Sequence, residues 1–270
     1  MAKRKPAGTR QVALITGAST GIGREFARIF AHHGHDLLLI SNVEKQLKSI
    51  TQEILQNTSV KVATLHLDLT HASAGEKISN YIEKNGLRVS ILVNNAGVGN
   101  YGKFSSVPWE KQKHLLDLNM GALTELCYRM IPHMLKHGGG KILNVASMAG
   151  FAPGPYYATY YASKAFVLHL TEALREEYRN DNIVISAVCP GPSPTDFFSK
   201  APMSDSSSLM RAFMLHPARI AELGYRGLMR GRNIIIPGLI FWLVPWGVRL
   251  LPRRWITRIS RIMVEIAAKG

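Results

Sequence analysis

One tyrosine and one lysine in the middle of the chain have the spacing that proton transfer needs. Tyr160 and Lys164 are four residues apart in a segment with helical periodicity, so their side chains lie one turn apart on the same face. A nearby ammonium favours the phenolate and lowers the pKa of a tyrosine, which otherwise lies at about 10. We therefore expect Tyr160 to act as a general acid or base near neutral pH.

A glycine-rich segment near the start of the chain has the composition of a phosphate-binding turn. Residues Thr16 to Gly23 follow a short apolar run and precede a helical stretch. Glycines permit a tight turn and a close approach of the backbone to a pyrophosphate, whose charge the amides and dipole of the helix N-terminus stabilise. This arrangement implies a dinucleotide ligand, and the alternative is a βα turn that binds nothing.

The elements that position these residues alternate along the chain. Short β-branched apolar runs predict strands at residues 12–15, 36–40, 61–66, 91–94, 141–146, 183–188 and 233–236. Helical periodicity occurs at residues 21–33, 44–57, 71–84, 109–137, 160–180 and 217–230. The alternation indicates an α/β, doubly wound Rossmann fold with a mostly parallel seven-stranded sheet. In such sheets, ligands bind beyond the carboxyl ends of the strands.

Six motifs in this order resemble those of the short-chain dehydrogenase/reductase superfamily over about residues 10–198. They are Thr16-Gly-x-x-x-Gly21-x-Gly23, Asn94-Asn95-Ala96-Gly97, Asn119, Ser147, Tyr160-x-x-x-Lys164 and Pro190-Gly191-Pro192-Ser193-Pro194-Thr195. The tail around residues 230–238 is similar to that of some bacterial short-chain dehydrogenases and long-chain ketoacyl reductases. The resemblance implies an oxidoreductase that interconverts a carbonyl and an alcohol with a nicotinamide cofactor.

The resemblance also implies four catalytic residues: Asn119, Ser147, Tyr160 and Lys164. Ser147, at the end of a strand, polarises the substrate carbonyl by hydrogen bonding. Asn119 supports a water linked to Lys164, and Lys164 also holds the nicotinamide ribose. Each residue has a structural alternative when taken alone, namely a turn serine, a helix asparagine and a surface Tyr–Lys pair.

Cofactor contacts follow from the same resemblance. After the second strand stand Ser41, Asn42 and Val43; the absence of an acid there favours NADP(H) over NAD(H), although the arginine common in NADP enzymes is absent too. Asp68 matches the position beside the adenine. The cofactor-binding residues that we predict are Gly17, Ser19, Thr20, Gly21, Ile22, Gly23, Ser41, Asn42, Asp68, Leu69, Asn95, Ala96, Gly97, Tyr160, Lys164, Pro190, Gly191, Ser193 and Thr195.

Two later segments suggest a hydrophobic substrate. Residues 195–217 are irregular and rich in phenylalanine and methionine, which predicts an apolar lid and a lipophilic carbonyl or alcohol, such as a long-chain ketoacyl or steroid-like ketone. Alternatively, these residues only pack the lid onto the domain. Residues 253–267 predict an amphipathic helix with Trp255, Ile256, Ile259, Ile262, Met263 and Ile266 on one side and Arg254, Arg258 and Arg261 opposite. Such a helix lies on an anionic membrane, or it packs on its own domain or a second subunit.

Charge and composition bound the remaining possibilities. The net charge is +15 and is concentrated in the last 60 residues, but no nucleic-acid-binding module is recognisable. Two cysteines, Cys127 and Cys189, cannot form a disulfide framework or a zinc site and fit a reducing, cytoplasmic location. We interpret His32, His33 and His35 as solvated capping residues and expect no metal site. The uncharged, apolar run at residues 233–248 is 16 residues long, which is too short to span a membrane.

We divide the chain into a basic arm (residues 1–10) without the apolar run of a signal peptide, a catalytic domain (11–237) that includes the lid, and an apolar, basic extension (238–270). A homo-oligomer is expected by resemblance, through the helices that carry Asn119 and Tyr160. The alternative function is a non-catalytic, dinucleotide-binding module that regulates or interacts at a membrane. The complete set of four catalytic residues favours the enzyme.

Overall fold

Seven parallel strands form one sheet in the order β3-β2-β1-β4-β5-β6-β7. The structure is a computed structural model that describes residues 10–192 and 214–269. Its strands are β1 (Arg10–Thr16), β2 (Asp36–Ser41), β3 (Val62–His66), β4 (Leu87–Asn94), β5 (Gly140–Val145), β6 (Ile183–Val188) and β7 (Ile234–Ile235). The predicted doubly wound fold is confirmed, and the strand order reverses between β1 and β4, where such sheets bind ligands.

Alternation of side chains along the strands divides the core into two layers. Val12 and Leu14 of β1 pack on one face of the sheet, while Ala13 and Ile15 pack on the other. All four are at most 1% exposed. Because both faces are covered by helices, the strands read as continuous apolar runs rather than as an apolar–polar alternation.

Nine α-helices lie within the described residues. They are α1 (Gly21–His32), α2 (Glu44–Asn57), α3 (Ala74–Lys84), α4 (Trp109–Leu116), α5 (Leu123–Lys136), α6 (Ala158–Glu177), α7 (Pro217–Met229), α8 (Val244–Leu250) and α9 (Arg253–Lys269). The single helix predicted at residues 109–137 is wrong in one respect, because a π-helical turn at Asp117–Ala122 separates α4 from α5. A π turn contains one extra residue and is common at functional sites.

Several other sequence-based boundaries also need correction. Strand β4 begins at Leu87, four residues earlier than predicted, because Leu87 and Val89 are buried and pair with β1 across a register shift. Helix α3 begins at Ala74 rather than His71, because Asp68 to His71 form a turn in which Asp68 Oδ1 accepts hydrogen bonds from the backbone N–H and the hydroxyl of Thr70. Helix α6 begins two residues before Tyr160.

The histidines near the end of α1 are not simply solvated caps. The ring of His33 lies 4.1 Å from the ring of Tyr225 in α7, and His35 Nε2 lies 3.2 Å from the Tyr225 hydroxyl. Partial burial lowers the pKa of His35. These contacts join α1 to α7, which sequence spacing alone did not indicate.

Some predicted features lie outside the described residues. They are residues 1–9 of the basic arm and residues 195–213 of the lid, which include Thr195. Ser193 lies outside as well. Among the helices of residues 10–192 and 214–269, we find none with the length and hydropathy that a membrane crossing requires.

Candidate active site

A cleft of about 920 Å³ opens at the carboxyl ends of the strands and collects most of the predicted site residues. It is lined by Gly17, Ser19, Thr20, Gly21, Ile22, Ser41, Asn42, Asp68, Leu69, Asn95, Ala96, Gly97, Ser147, Tyr160, Lys164, Pro190 and Gly191. Two predicted residues, Gly23 and Asn119, are buried beneath the lining. The carboxyl-end edge of one sheet therefore brings together segments that are distant in the sequence.

The turn after β1 is built for a close backbone approach. Gly17 and Gly21 have φ angles of +61° and +53°, in the left-handed region that favours glycine. A Cβ atom at Gly23 would overlap with the carbonyl oxygen of Gly17 and the side-chain amide of Asn95. Asn95 Nδ2 in turn donates to the carbonyl oxygens of Thr16 and Gly17 at 3.0 and 3.2 Å. The turn and the end of β4 thus form one hydrogen-bonded unit.

At the other side of this turn, the end of β2 carries neutral polar groups. Ser41 donates from Oγ to Ser19 Oγ at 2.8 Å and accepts from the backbone N–H of Val43 at 3.1 Å. Asn42 is exposed. Asp68 is the only acidic side chain among the described lining residues, and its bonds to the backbone N–H and hydroxyl of Thr70 lower its pKa. The end of β2 therefore presents no carboxylate to a ligand in the cleft.

Tyr160, Ser147 and Lys164 lie together under the opposite half of the cleft. Tyr160 and Lys164 are 8% and 5% exposed. The Tyr160 side chain forms a hydrogen bond with Ser147. Lys164 Nζ donates to the carbonyl oxygen of Val145 at 2.8 Å and lies 5.8 Å from the centre of the Tyr160 ring. The three side chains therefore converge at the end of β5, as the motif order predicted.

The electrostatics of this group differ from our expectation. Burial raises the pKa of Tyr160 above its usual value of 10.0, and the hydrogen bond with Ser147 only partly opposes this effect. Burial also lowers the pKa of Lys164 to about 8. The expected lowering of the Tyr160 pKa is wrong for this arrangement, because desolvation of the phenolate outweighs the attraction of an ammonium that bonds elsewhere.

Asn119 occupies the π turn and holds the loop that follows β4. Its Oδ1 accepts from the backbone N–H of Val98 at 2.9 Å, and its Nδ2 donates to the Val98 carbonyl at 2.9 Å and to Ser163 Oγ at 3.0 Å. A Cβ atom at Gly97 would lie 3.1 Å from Asn119 Oδ1 and 3.5 Å from Lys164 Nζ. Asn119 is therefore next to the site, but its amide positions backbone, and a role through water stays a prediction.

The apolar wall of the cleft comes from within residues 238–270, which we predicted to be a separate extension. Helices α8 and α9 and the turn before them contribute Phe241, Val244, Val248, Leu251, Ile256, Ile259, Met263 and Val264. Ser260 of α9 forms a hydrogen bond with Tyr161. The sequence signal that could have indicated this packing is the spacing of Ile256, Ser260 and Val264, which are four residues apart and so share one helix face.

No three His, Cys, Asp or Glu side chains lie together as metal ligands in the part of the chain that the structure describes. Cys127 and Cys189 are both free thiols and buried. Burial raises the pKa of each thiol to about 12. These cysteines therefore behave as small core residues, and neither is a nucleophile near neutral pH.

The family model described as short chain dehydrogenase matches residues 11–205. Among curated proteins, 17-beta-hydroxysteroid dehydrogenase type 3 of Mus musculus is 36% identical over 183 residues, which cover 67% of this chain and 59% of that protein. The very-long-chain 3-oxoacyl-CoA reductase of Laccaria bicolor is 35% identical over 175 residues, which cover 64% and 52%. The chain thus spans little more than half of the length of these curated relatives.

Solved structures with the same fold include one complex with NADPH and one with NAD. A short-chain dehydrogenase from Sphingobium yanoikuyae in complex with NADPH has a TM-score of 0.79 and 31% identity, over 89% of this chain and 93% of that chain. A short-chain dehydrogenase/reductase from Burkholderia phymatum in complex with NAD has a TM-score of 0.79 and 25% identity, over 94% and 96%. The solved relatives therefore leave the choice between NADP and NAD open.

Proposed function

Because the chain belongs to the short-chain dehydrogenase family of oxidoreductases, we propose that it interconverts a carbonyl and an alcohol on a lipophilic substrate with NADP(H). The observation that carries this proposal is the convergence of Ser147, Tyr160 and Lys164 beside an apolar wall. A nicotinamide cofactor, when bound, donates or accepts the hydride. The residues of this chain bind the reactants and transfer the proton.

The turn after β1 fits a dinucleotide. Gly17 and Gly23 leave the space that a pyrophosphate needs, because side chains there would overlap with neighbouring backbone and with Asn95. Ser41 and Asn42 favour NADP(H), since neither repels the phosphate that distinguishes NADP from NAD. The NADPH complex of the Sphingobium relative supports the same choice, and the NAD complex of the Burkholderia relative opposes it.

Proton transfer is assigned to Tyr160. In the reducing direction its hydroxyl donates a proton to the substrate oxygen, and in the oxidising direction its phenolate accepts one. Ser147 donates a hydrogen bond to the same oxygen and stabilises the charge that develops there. Lys164 in its ammonium form would hold the ribose hydroxyls of the cofactor, and its positive charge opposes, without overcoming, the cost of burying the phenolate. Because burial raises the pKa of Tyr160, its hydroxyl stays protonated near neutral pH, which suits proton donation in the reducing direction.

The substrate class is inferred from the wall that α8 and α9 form. Its side chains are almost all aliphatic or aromatic, and the pair Tyr161–Ser260 is a polar contact within it. Such a wall favours a steroid-like or long-chain ketone over a sugar. The names of the two curated relatives, a hydroxysteroid dehydrogenase and a very-long-chain oxoacyl-CoA reductase, support the same class.

Removal of the Tyr160 hydroxyl oxygen tests the proposal. Tyr160→Phe should keep cofactor binding and lose about 100- to 10,000-fold in turnover, because only the proton donor is removed. Tyr178→Phe, at the far end of α6, is the matched control and should retain full activity. A panel of ketones and alcohols with NADPH and NADP provides the assay. Equal turnover by Tyr160→Phe would reject this residue as the acid. Cofactor binding without turnover of any compound would instead favour a non-catalytic, dinucleotide-binding module.

Three further proposals concern the whole chain. The first is its division into arm, catalytic domain and extension. The second is a cytoplasmic location with peripheral membrane contact, and the third is a homo-oligomer. Two buried free thiols support a reducing compartment. We propose a small hydrophobic molecule, and no nucleic acid, as the partner, because the wall of the cleft is apolar. The residues that support membrane contact belong to α8 and α9.

A further inference from the structure

The 3₁₀ turn at Leu239–Leu243, helix α8, helix α9 and the residue after α8 carry exposed apolar side chains, which together we call the tail surface. It consists of Trp242, Leu243, Trp246, Leu250, Leu251, Trp255, Ile259, Ile262, Met263 and Ile266, whose exposed fractions range from 46% to 82%. Three of the four tryptophans of the chain lie in it. So many exposed apolar side chains within one short stretch of the chain indicate an interaction site rather than ordinary surface.

The geometry of α9 separates the tail surface from the core. Trp255, Ile259, Ile262 and Ile266 follow the spacing i, i+4, i+7, i+11, which places them on one strip of the helix. Ile256 and Val264 lie on a different strip and are only 6% and 7% exposed. The helix therefore already packs on its own domain with one apolar face, and a second apolar face is left for a partner.

The stretch of chain that carries the tail surface is also rich in positive charge. Five arginines between Trp242 and Ile266 are exposed: Arg249, Arg253, Arg254, Arg258 and Arg261. The single acidic residue in this stretch is Glu265, which accepts hydrogen bonds from Arg261 and Tyr156. The stretch thus carries a net charge of +4, five arginines less one glutamate.

This combination of residues identifies the partner by its chemistry. Tryptophan prefers the interface between lipid headgroups and acyl chains, and arginine places its guanidinium at headgroup level while its stem stays in apolar surroundings. A positive rim is complementary to anionic lipid. A second copy of this chain carries the same positive charge, so this surface would repel itself at the rim.

We propose that the tail surface docks on an anionic lipid bilayer and that the apolar substrate enters the cleft directly from it. Leu251, Ile259 and Met263 belong both to the tail surface and to the lining of the cleft, so they form the edge between the two. An apolar molecule that leaves the bilayer at this edge reaches the cleft without crossing water. The route of entry rests on the proposed function, whereas docking does not.

Vesicle binding by the full chain, without cofactor or substrate, tests docking. The probes are vesicles of phosphatidylcholine alone and of phosphatidylcholine mixed with phosphatidylglycerol. We expect flotation mainly with the anionic vesicles, and we expect binding to weaken without vanishing as salt rises, because apolar burial is not screened. Absence of flotation with both vesicle types would overturn the proposal.

Two double variants separate the apolar and electrostatic contributions. Trp255→Gln with Ile262→Gln, and Arg254→Glu with Arg258→Glu, should each lower anionic-vesicle binding at least about tenfold. These four residues do not line the cleft. The control is Lys45→Glu with Lys77→Glu, at exposed positions of α2 and α3. This control changes the net charge by the same amount as the double arginine variant, and it should bind vesicles nearly as well as the unaltered chain. Equal loss in the lysine variant would show that net charge alone drives binding and would overturn the docking surface.

Sedimentation distinguishes a bilayer from a second copy of the chain. We expect the Trp255→Gln, Ile262→Gln variant to keep the oligomeric state and the thermal unfolding temperature of the unaltered chain. Dissociation of an oligomer by this variant, together with absence of vesicle binding, would assign the surface to a subunit contact and overturn the proposal.

Two ketones test the route of entry. The Trp255→Gln, Ile262→Gln variant should turn over water-soluble cyclohexanone normally but lose activity toward a long-chain methyl ketone supplied in anionic vesicles. Equal activity toward the vesicle-borne ketone would overturn direct entry. Inactivity of the unaltered chain toward both ketones would count against the proposed function, while the flotation result would still decide docking.

Discussion

The hydroxyl of Tyr156 donates a 3.0 Å hydrogen bond to Oε1 of Glu265, which joins the residue two positions before α6 to the C-terminal helix. Tyr156 has a φ angle of +66°, a left-handed conformation that costs energy for a residue other than glycine. Glu265 also accepts from Arg261 Nε at 2.9 Å. The segment that precedes Tyr160 and the wall of the cleft are therefore directly connected.

Tyr156→Phe should loosen this connection without touching the lining of the cleft. We expect KM for a hydrophobic ketone to rise several-fold, because α9, which forms part of the apolar wall, is held less firmly on the domain. The kcat for cyclohexanone should stay unchanged. Hydrogen exchange of residues 253–266 should become faster in the same variant. Glu265→Gln keeps an acceptor oxygen and is the control. Unchanged KM and exchange in Tyr156→Phe would mean that packing of Ile256 and Val264 alone fixes α9.

Ser41→Asp should shift cofactor preference toward NADH. A carboxylate at the end of β2 repels the phosphate of NADP and accepts hydrogen bonds from the ribose hydroxyls of NAD. Titration by nicotinamide fluorescence measures both dissociation constants. Ser41→Ala, which loses the bond to Ser19 without adding charge, separates the electrostatic effect from the structural one. Tighter binding of NADH than of NADPH by the unaltered chain would refute the proposed preference.

Gly23→Ala should disrupt the turn after β1. The added methyl group overlaps with the Gly17 carbonyl and with Asn95, so the turn must shift at a cost of about 1–3 kcal/mol in the free energy of unfolding. Cofactor binding should be lost with it. Gly121→Ala is the control, because a Cβ there meets nothing within 4 Å. Urea unfolding and fluorescence titration measure the two effects, and a Gly23→Ala variant with normal affinity would show that the turn adapts.

Lys164→Met should change how stability depends on pH. The folded state lowers the pKa of Lys164 to about 8 from 10.5, so the unfolded chain binds more protons between these values and the stability of the cofactor-free protein rises with pH there. Below this window, where Lys164 is charged, its burial lowers the free energy of unfolding by about 3 kcal/mol relative to the value above the window. Lys164→Met removes this dependence, whereas other groups titrate in both proteins. Urea unfolding across the window should therefore give a stability difference that shrinks as pH rises, and a constant difference would contradict the lowered pKa.

Local sequence signals were sufficient for the fold and for the floor of the cleft. Buried strands such as β2 read as continuous apolar runs, and the glycines of the turn after β1 have few other uses at that spacing. Tyr160 and Lys164 needed only helical periodicity to be placed on one face. These features depend on neighbours in the sequence or on a shared sheet edge, both of which a linear pattern preserves.

Long-range contacts carried no comparable signal. The Tyr156–Glu265 bond joins residues 109 positions apart, and nothing in either segment indicates the other. The balance between burial and charge at Tyr160 depends on how deeply the side chain lies, which spacing does not reveal. The amide of Asn119 bonds to Val98 because a π turn aims it there, and a regular helix would have been the expectation.

The division of labour between the strands and the last two helices also has a consequence for the exchange of segments. The residues that we propose for proton transfer and cofactor binding within the described part of the chain all precede residue 192, whereas one uninterrupted stretch from Phe241 to Val264 supplies the apolar boundary that α8 and α9 form. If the proposed function holds, exchange of residues 241–264 for the equivalent stretch of a homologous protein should change which ketones are accepted and leave the residues proposed for proton transfer in place.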